Sequence, residues 1–254
     1  MHARSILITG AGSGIGAGIA VELAAQGHHV ILTDRAAAPV EALAAEIVAT
    51  GGSAEGHALD VTDAAQIAAV LAACARPVDV LVNNAGLQHV APLTEFPMER
   101  WAFLVEVMLT SVARLTQAVL PGMRERGFGR IVNIGSIHSL VASKYKSAYV
   151  AAKHGLVGFS KVIALETADC DITINTVCPT YVKTPLVDQQ IADQARTHGI
   201  PESQVVKEIM LKPMPKGVFI SFEELAGITA FLVSPVARNI TGQCIVVDGG
   251  WTVQ

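Results

Sequence analysis

The stretch Ser5-Ile6-Leu7-Ile8-Thr9-Gly10-Ala11-Gly12-Ser13-Gly14-Ile15-Gly16 decides how this chain reads. A short apolar run ends in Thr9-Gly10, and glycine returns at 12, 14 and 16. Apolar residues then recur four apart at Ile15, Ile19 and Leu23. These signals predict a strand, a tight turn and a helix in immediate succession. Glycines at such a turn let an anionic group approach the backbone, and the helix that follows presents free N–H groups and the positive end of its dipole. The loose fingerprint GxGxxG/A fits only as Gly12–Ala17 and is unspecific alone. The pattern TGxxxGxG fits Thr9, Gly10, Gly14 and Gly16 without exception. Gly10, Ser13, Gly14, Ile15 and Gly16 are therefore the predicted loop for a dinucleotide diphosphate.

The same alternation runs through the chain. Strands are expected over Ser5–Thr9, His29–Thr33, Ser53–Asp60, Val78–Asn83, Gly129–Gly135, Thr173–Cys178 and Cys244–Asp248. Helices are expected over Ile15–Gln26, Pro39–Thr50, Ala64–Cys74, Met98–Arg126, Ser147–Thr167 and Glu223–Leu232. Strands that read as apolar throughout, alternating with helices, predict an α/β fold: a doubly wound parallel sheet with helices on both faces. With 254 residues and no linker or repeat, residues 1–254 form one domain. The polar stretch 184–222, with three prolines between Pro201 and Pro215, interrupts the rhythm. It is expected to be a helical lid over a substrate site.

Composition narrows the partners. The chain is 51% apolar and 16% charged, with 18 basic and 22 acidic residues and a net charge of −4. A disordered chain would be less apolar and more charged. Without a basic face, nucleic acid is not an expected partner. The longest apolar runs fall far short of the roughly 18 residues a bilayer span needs, so no membrane span is expected. The N-terminal apolar run reads as the first strand, not as a signal peptide. Cys74, Cys170, Cys178 and Cys244 are scattered without a CxxC pair, which suits buried free thiols in a reducing cytoplasm better than disulfides or a zinc framework. No metal ligand set is read from the sequence. The low charge and two long helices point to a homo-oligomer.

Site residues follow from where the strands end. Asp34, closing the second strand, can accept both ribose hydroxyls and repel a 2′-phosphate. Ser13, not a lysine or arginine, precedes Gly14, although Arg35 follows Asp34. NAD is therefore expected over NADP. Asp60 and Val61 close the third strand, where Asp60 could meet the adenine ring or serve as a turn residue. Asn83-Asn84-Ala85-Gly86 lies at the carboxyl edge past the fourth strand, where ligands bind in such sheets. Ser136 ends the next strand, and Tyr149 and Lys153 sit four apart on one face of the following helix. A free phenol has a pKa of about 10. A nearby ammonium favours the phenolate, so Tyr149 could take a hydroxyl proton while Ser136 holds the substrate oxygen.

TGxxxGxG, NNAG, the strand-end serine and YxxxK together make this chain resemble the short-chain dehydrogenase/reductase family over essentially its whole length. The resemblance implies a Rossmann-type domain with Ser136, Tyr149 and Lys153 as the catalytic set. It places Asn83 near the adenosine ribose, Ala85 and Gly86 at the cofactor, and Pro179, Val182 and Thr184 against the nicotinamide. Gln88-His89-Val90, Lys146-Ser147-Ala148-Tyr149, Thr184-Pro185-Leu186-Val187 and Val247-Asp248-Gly249-Gly250-Trp251-Thr252 are similar to members that oxidise a small 3-hydroxy acid. That likeness implies a carboxylate-binding set of Gln88, His138, Lys146 and Gln190, with Gln189 the alternative to Gln190, and Tyr181 as a pocket wall. It also implies a homotetramer. Two positions depart from the family. Met108 stands where a relay asparagine is usual, so altered proton transfer is expected. Thr180 replaces a common glycine after Pro179, which could shift how the nicotinamide end sits.

Overall fold

The computed structural model describes residues 3–253, apart from the side chains at 185, 186, 189, 193, 194, 197 and 198. Ser5–Thr9 forms β1 with all five residues buried, as an apolar run must be when both faces of its sheet are covered. Gly14–Ala25 (α1), His29–Asp34 (β2), Ala37–Ala49 (α2), Ser53–Ala58 (β3), Ala64–Ala73 (α3) and Val80–Asn83 (β4) follow. The second half contains Met98–Val105 (α4), Ser111–Arg126 (α5), Gly129–Ile134 (β5), Ser147–Glu166 (α6) and Ile172–Pro179 (β6). It continues through Pro185–His198 (α7), Glu202–Val205 (α8), Phe222–Val233 (α9) and Cys244–Val247 (β7). The seven strands pair in parallel in the order β3-β2-β1-β4-β5-β6-β7. The direction of winding reverses between β1 and β4. The carboxyl ends of those strands part there and leave a crevice.

Alternation along each strand divides the core. Ile6 and Ile8 of β1 pack with Ile19, Leu23 and Leu225 on one face. Leu7 packs with Leu81, Leu115 and Met123 on the other. Fully burying a side chain of this size stabilises the fold by roughly 1.5–3 kcal/mol. The segment between β6 and α9 carries its own small cluster of Val187, Ile191, Val205 and Met210. Its two ends meet at a parallel bridge between Val182 and Ile220, so it leaves and rejoins the body at one place.

Several expectations need correction. β3 is not apolar throughout: it is an edge strand, SAEGHA, without a fully buried residue, and a strand with one free edge can carry charge. The fourth strand starts at Val80, two residues later than expected. The helical stretch Met98–Arg126 is interrupted by a π turn at Glu106–Thr110 that contains Met108. At 29 residues that stretch is long and apolar enough to cross a membrane by length and composition alone. In this fold its Leu104, Val107, Met108 and Leu115 are buried against the sheet. All four cysteines are free, but only Cys178 is buried.

Candidate active site

The glycine turn is built by close approach. A methyl on Gly16 would collide with the Gly10 carbonyl oxygen, and Gly14 adopts φ +58, where L side chains are strained. Asn84 fastens the turn to the fourth strand by donating from Nδ2 to the carbonyls of Thr9 at 2.9 Å and Gly10 at 3.0 Å. Above the turn opens a cavity of about 420 Å³. Gly10, Ser13, Gly14 and Ile15 form its floor, and Asp34, Asp60 and Val61 line one end. Ala85, Gly86 and Thr184 line it further along, and Tyr149 and Lys153 close it.

The Asp34 carboxylate accepts the Gly12 N–H at 3.1 Å, and a Cβ at position 12 would lie 2.9 Å from its Oδ2. Glycine is therefore what lets the acid stand over the loop. Asp60 serves as a turn residue, its Oδ1 accepting the Thr62 N–H and hydroxyl at 2.9 and 2.7 Å, and it also lines the cavity. Gly16 and Asn83, both predicted at the cofactor, line neither this cavity nor the one beside it. Gly16 packs behind the loop. The buried Asn83 side chain turns away to donate to Asn133 Oδ1 at 2.8 Å, and it is Asn84 that lines the cavity.

A second cavity of about 130 Å³ adjoins the first and shares Ile15, Gly135, Tyr149 and Thr184 with it. Here the predicted substrate residues converge. Ser136 and Tyr149 stand at one end, and Gln88, His138, Lys146 and Gln190 surround the rest. The alternative Gln189 side chain lies outside the described residues. Pro179 and Val182 line this cavity and not the first.

Local structure aims these groups. Ser136 caps the 3-10 turn Ile137–Ser139, its Oγ accepting the His138 N–H at 3.1 Å. The chain enters α6 through Tyr145 at φ +70, the one non-glycine residue in the left-handed region among the described residues. Such a position costs about 1–3 kcal/mol. It delivers Lys146 to the cavity wall just before Tyr149 and Lys153 begin their shared face. Lys146 Nζ lies 3.5 Å from His138 Nε2, and Ser143 Oγ lies 3.2 Å from the same nitrogen.

Burial, with Lys146 adding to it, drives the His138 pKa down to about 4. The ring is therefore neutral at pH 7, and its Nε2 can accept from the ammonium. Burial also lowers the Lys146 pKa, and no carboxylate among the described residues offsets it. The result is a cation without a carboxylate partner in a small recess. Gln88 adds a buried Oε1 that no protein group pairs. Turned end for end, its amide would donate into the cavity.

The catalytic set shows one departure from expectation. Lys153 does not draw the Tyr149 phenol down in this geometry. Burial pushes Tyr149 up, and its hydrogen bond with Ser136 opposes the shift. The Lys153 ammonium instead donates to the Ile134 carbonyl at 2.6 Å, with Nζ 5.7 Å from the Tyr149 ring centroid. Burial lowers Lys153 to about 8.

The profile of the short chain dehydrogenase family matches residues 4–195. The chain is a short-chain dehydrogenase. It is 45% identical to D-beta-hydroxybutyrate dehydrogenase of Cupriavidus necator over 259 residues, covering 100% of both chains. It is 44% identical to the D-beta-hydroxybutyrate dehydrogenase of Rhizobium meliloti, covering 99% of each. Among solved structures, a single-residue variant of actinorhodin polyketide ketoreductase with NADPH superposes with a TM-score of 0.91. It is 36% identical, covering 98% of this chain and 97% of that one. Short-chain dehydrogenases use a nicotinamide cofactor. The glycine turn, which a Cβ at 12 or 16 would push against Asp34 or the Gly10 carbonyl, and the acid that lines the cavity fit one.

In this short-chain dehydrogenase, Met108 is fully buried in the π turn and packs beside Gly86. The dehydrogenase tolerates Thr180 without backbone strain, since Thr180 is not among the positive-φ residues. Its hydroxyl donates to Met214 Sδ at 3.4 Å. Trp251 has no role assigned by its sequence motif. Its ring stacks on Tyr181 at 6.2 Å and meets His138 edge-on at 6.4 Å, walling the second cavity. Asp248 holds that C-terminal turn by accepting the Gly250 and Thr252 N–H groups at 2.9 and 2.7 Å. The acid-Gly-Gly-aromatic spacing is the available signal, but nothing local says that this turn returns to the sheet's centre.

Proposed function

We propose that this dehydrogenase interconverts (R)-3-hydroxybutyrate and acetoacetate with NAD. One observation carries the reading: the unneutralised Lys146 ammonium, held by neutral His138, sits in the same small cavity as the Ser136–Tyr149 pair. A short hydroxy acid needs a cation at its carboxylate end and a hydroxyl-activating pair at the other. The 130 Å³ recess suits a molecule of that size.

In the oxidation direction the Tyr149 phenolate accepts the substrate hydroxyl proton. Ser136 Oγ holds the same oxygen by hydrogen bonding. Lys146, with Gln88 and Gln190, orients the carboxylate. Lys153 changes protonation near neutral pH and can pass the proton onward. The nicotinamide, when bound, accepts or returns the hydride. Gly10, Ser13, Gly14 and Ile15 would hold its diphosphate, and Asp34 the ribose diol. Residues 184–222 would cover the substrate, a role supported by Gln190 reaching the cavity. The exposed Phe231, Val246 and Val253 near the β7 edge suit burial in a homotetramer.

A second reading is an NADPH-dependent carbonyl reductase on the same scaffold. Arg35, which lines the cofactor cavity beside Asp34, favours it, because a guanidinium could meet a 2′-phosphate. Initial rates with (R)- and (S)-3-hydroxybutyrate, each with NAD⁺ and NADP⁺, separate the two. Activity confined to the (R) isomer with NAD⁺ is expected. Preference for NADP⁺, or silence with every combination while NADH still binds, would replace this reading.

Met108 bears on rate. Met108→Asn is expected to raise kcat and leave NADH affinity unchanged, by supplying the carboxamide usual at this position in the family. It should also lower the melting temperature. A carboxamide left unpaired in this dry core costs about 1–3 kcal/mol. Steady-state kinetics with a thermal melt check both, and a kcat at or below wild type would remove Met108 from the proton path.

A further inference from the structure

Outside both cavities, β3 and the end of α3 bring together three side chains of different ligand chemistry. Glu55 and His57 are two apart on β3 and share a face. Cys74 follows directly on α3, and the Ala75 N–H donates to Glu55 Oε1 and Oε2 at 3.1 and 3.4 Å, tying the helix end to the strand. One ligand atom from each of Glu55, His57 and Cys74 lies within 4.8 Å of the other two, a grouping found nowhere else among the described residues. His57 Nε2 meets Glu55 Oε2 at 3.1 Å. The other carboxylate oxygen is held by His29 Nε2 at 3.1 Å, and His29 Nδ1 is fixed by Ser53 Oγ at 2.7 Å.

We infer that Glu55, His57 and Cys74 form a binding site for a divalent cation of the zinc class, with His29 as the group that orients the Glu55 ligand. The donor set of one sulfur, one imidazole nitrogen and one carboxylate oxygen is that of zinc, not of calcium or magnesium. Zinc bonds of about 2.0–2.3 Å place tetrahedral ligands roughly 3.5 Å apart. The cluster therefore closes by about 1 Å, within reach of a turn of the Cys74 side chain, whose thiol now donates to the Val70 carbonyl. The side chains of His57 and Glu55 are 22% and 20% exposed, which leaves the fourth position to water.

Binding balances in charge and protons. The Cys74 S–H proton leaves to solvent as the sulfur–metal bond forms. His57 Nε2, whose N–H donates to the Glu55 carboxylate in the metal-free protein, gives up that proton to solvent while Nδ1 takes one up, so that the Nε2 lone pair faces the metal. Thiolate and carboxylate then neutralise the dication. Without a cation, burial and the Glu55 carboxylate hold the thiol up at about 11; a dication reverses the sign of that field. The sequence places Glu55 and His57 two apart but gives no sign of Cys74, which meets them only when α3 packs on β3.

Chelator-treated full-length protein titrated with Co²⁺ tests the proposal by its absorption spectrum. One equivalent is expected to produce a thiolate-to-cobalt charge-transfer band that Zn²⁺ displaces, and Zn²⁺ is expected to raise the melting temperature. Cys74→Ser should abolish the band and His57→Gln should weaken binding, both with native circular dichroism. His29→Gln should lower affinity about tenfold, and Cys170→Ser should change nothing. A wild-type protein without the band, or a band that survives Cys74→Ser, overturns the site.

Discussion

Tyr149→Phe is expected to lower kcat by at least about 10²–10⁴-fold at every pH, the range that a positioned proton acceptor contributes. The substitution removes one oxygen and keeps the ring that meets His138 edge-on at 6.1 Å. Ser136 keeps its contact with the His138 N–H. NADH binding should therefore persist, as followed by fluorescence titration. The wild-type pH profile has a defined sign. Burial raises the phenol, and only the phenolate can accept the hydroxyl proton, so oxidation should climb as pH rises. Reduction, which needs the phenol as donor, should fall over the same range. In Tyr149→Phe both limbs should flatten with the loss of rate. Substantial residual oxidation would transfer the acceptor role to another group.

The second large effect is at the opposite end of the small cavity. Lys146→Met should lower kcat/KM for (R)-3-hydroxybutyrate by about 3–4 kcal/mol, on the order of 10²–10³-fold, because it removes the charged partner of a partly desolvated carboxylate. The methyl ester of the same acid has no anion to lose, and its turnover should change little. In the wild type, burial lowers the Lys146 pKa. The ammonium is present below that pKa, so kcat/KM should fall again at alkaline pH, earlier than an ordinary lysine would allow. That basic limb should be missing in Lys146→Met. Equal losses for acid and ester would mean that Lys146 acts on the fold of the α6 entry and not on the anion.

Much of the fold is legible from short range. The glycine turn, the 3.6-residue spacing of Tyr149 and Lys153 and the β–α alternation are each set within a few residues of chain, where sterics and hydrogen bonding act locally. Gln88, Ser136, His138, Lys146, Tyr149 and Gln190 come from separate places in the sequence, and the sheet's carboxyl edge brings them to one cavity. A resemblance to a family is needed to name that set, since spacing alone does not relate Gln190 to Gln88.

Sequence and structure part where long-range packing overrides a local pattern. The NNAG motif places Asn83 at the cofactor, but the parallel register sets it beside Asn133, whose Oδ1 accepts from the buried Asn83 Nδ2. The spacing of YxxxK sets Lys153 to work on the phenol, but the Ile134 carbonyl of the neighbouring strand claims its ammonium. By itself, then, the sequence determined the strand–turn–helix units, the phosphate loop and the residue types able to do the chemistry. Only the tertiary structure decided the strand order, the polar edge at β3, the Trp251 wall and the pKa values of His138, Lys146 and Lys153. Those depend on burial and on neighbours distant in the chain, which exist only once the sheet has formed.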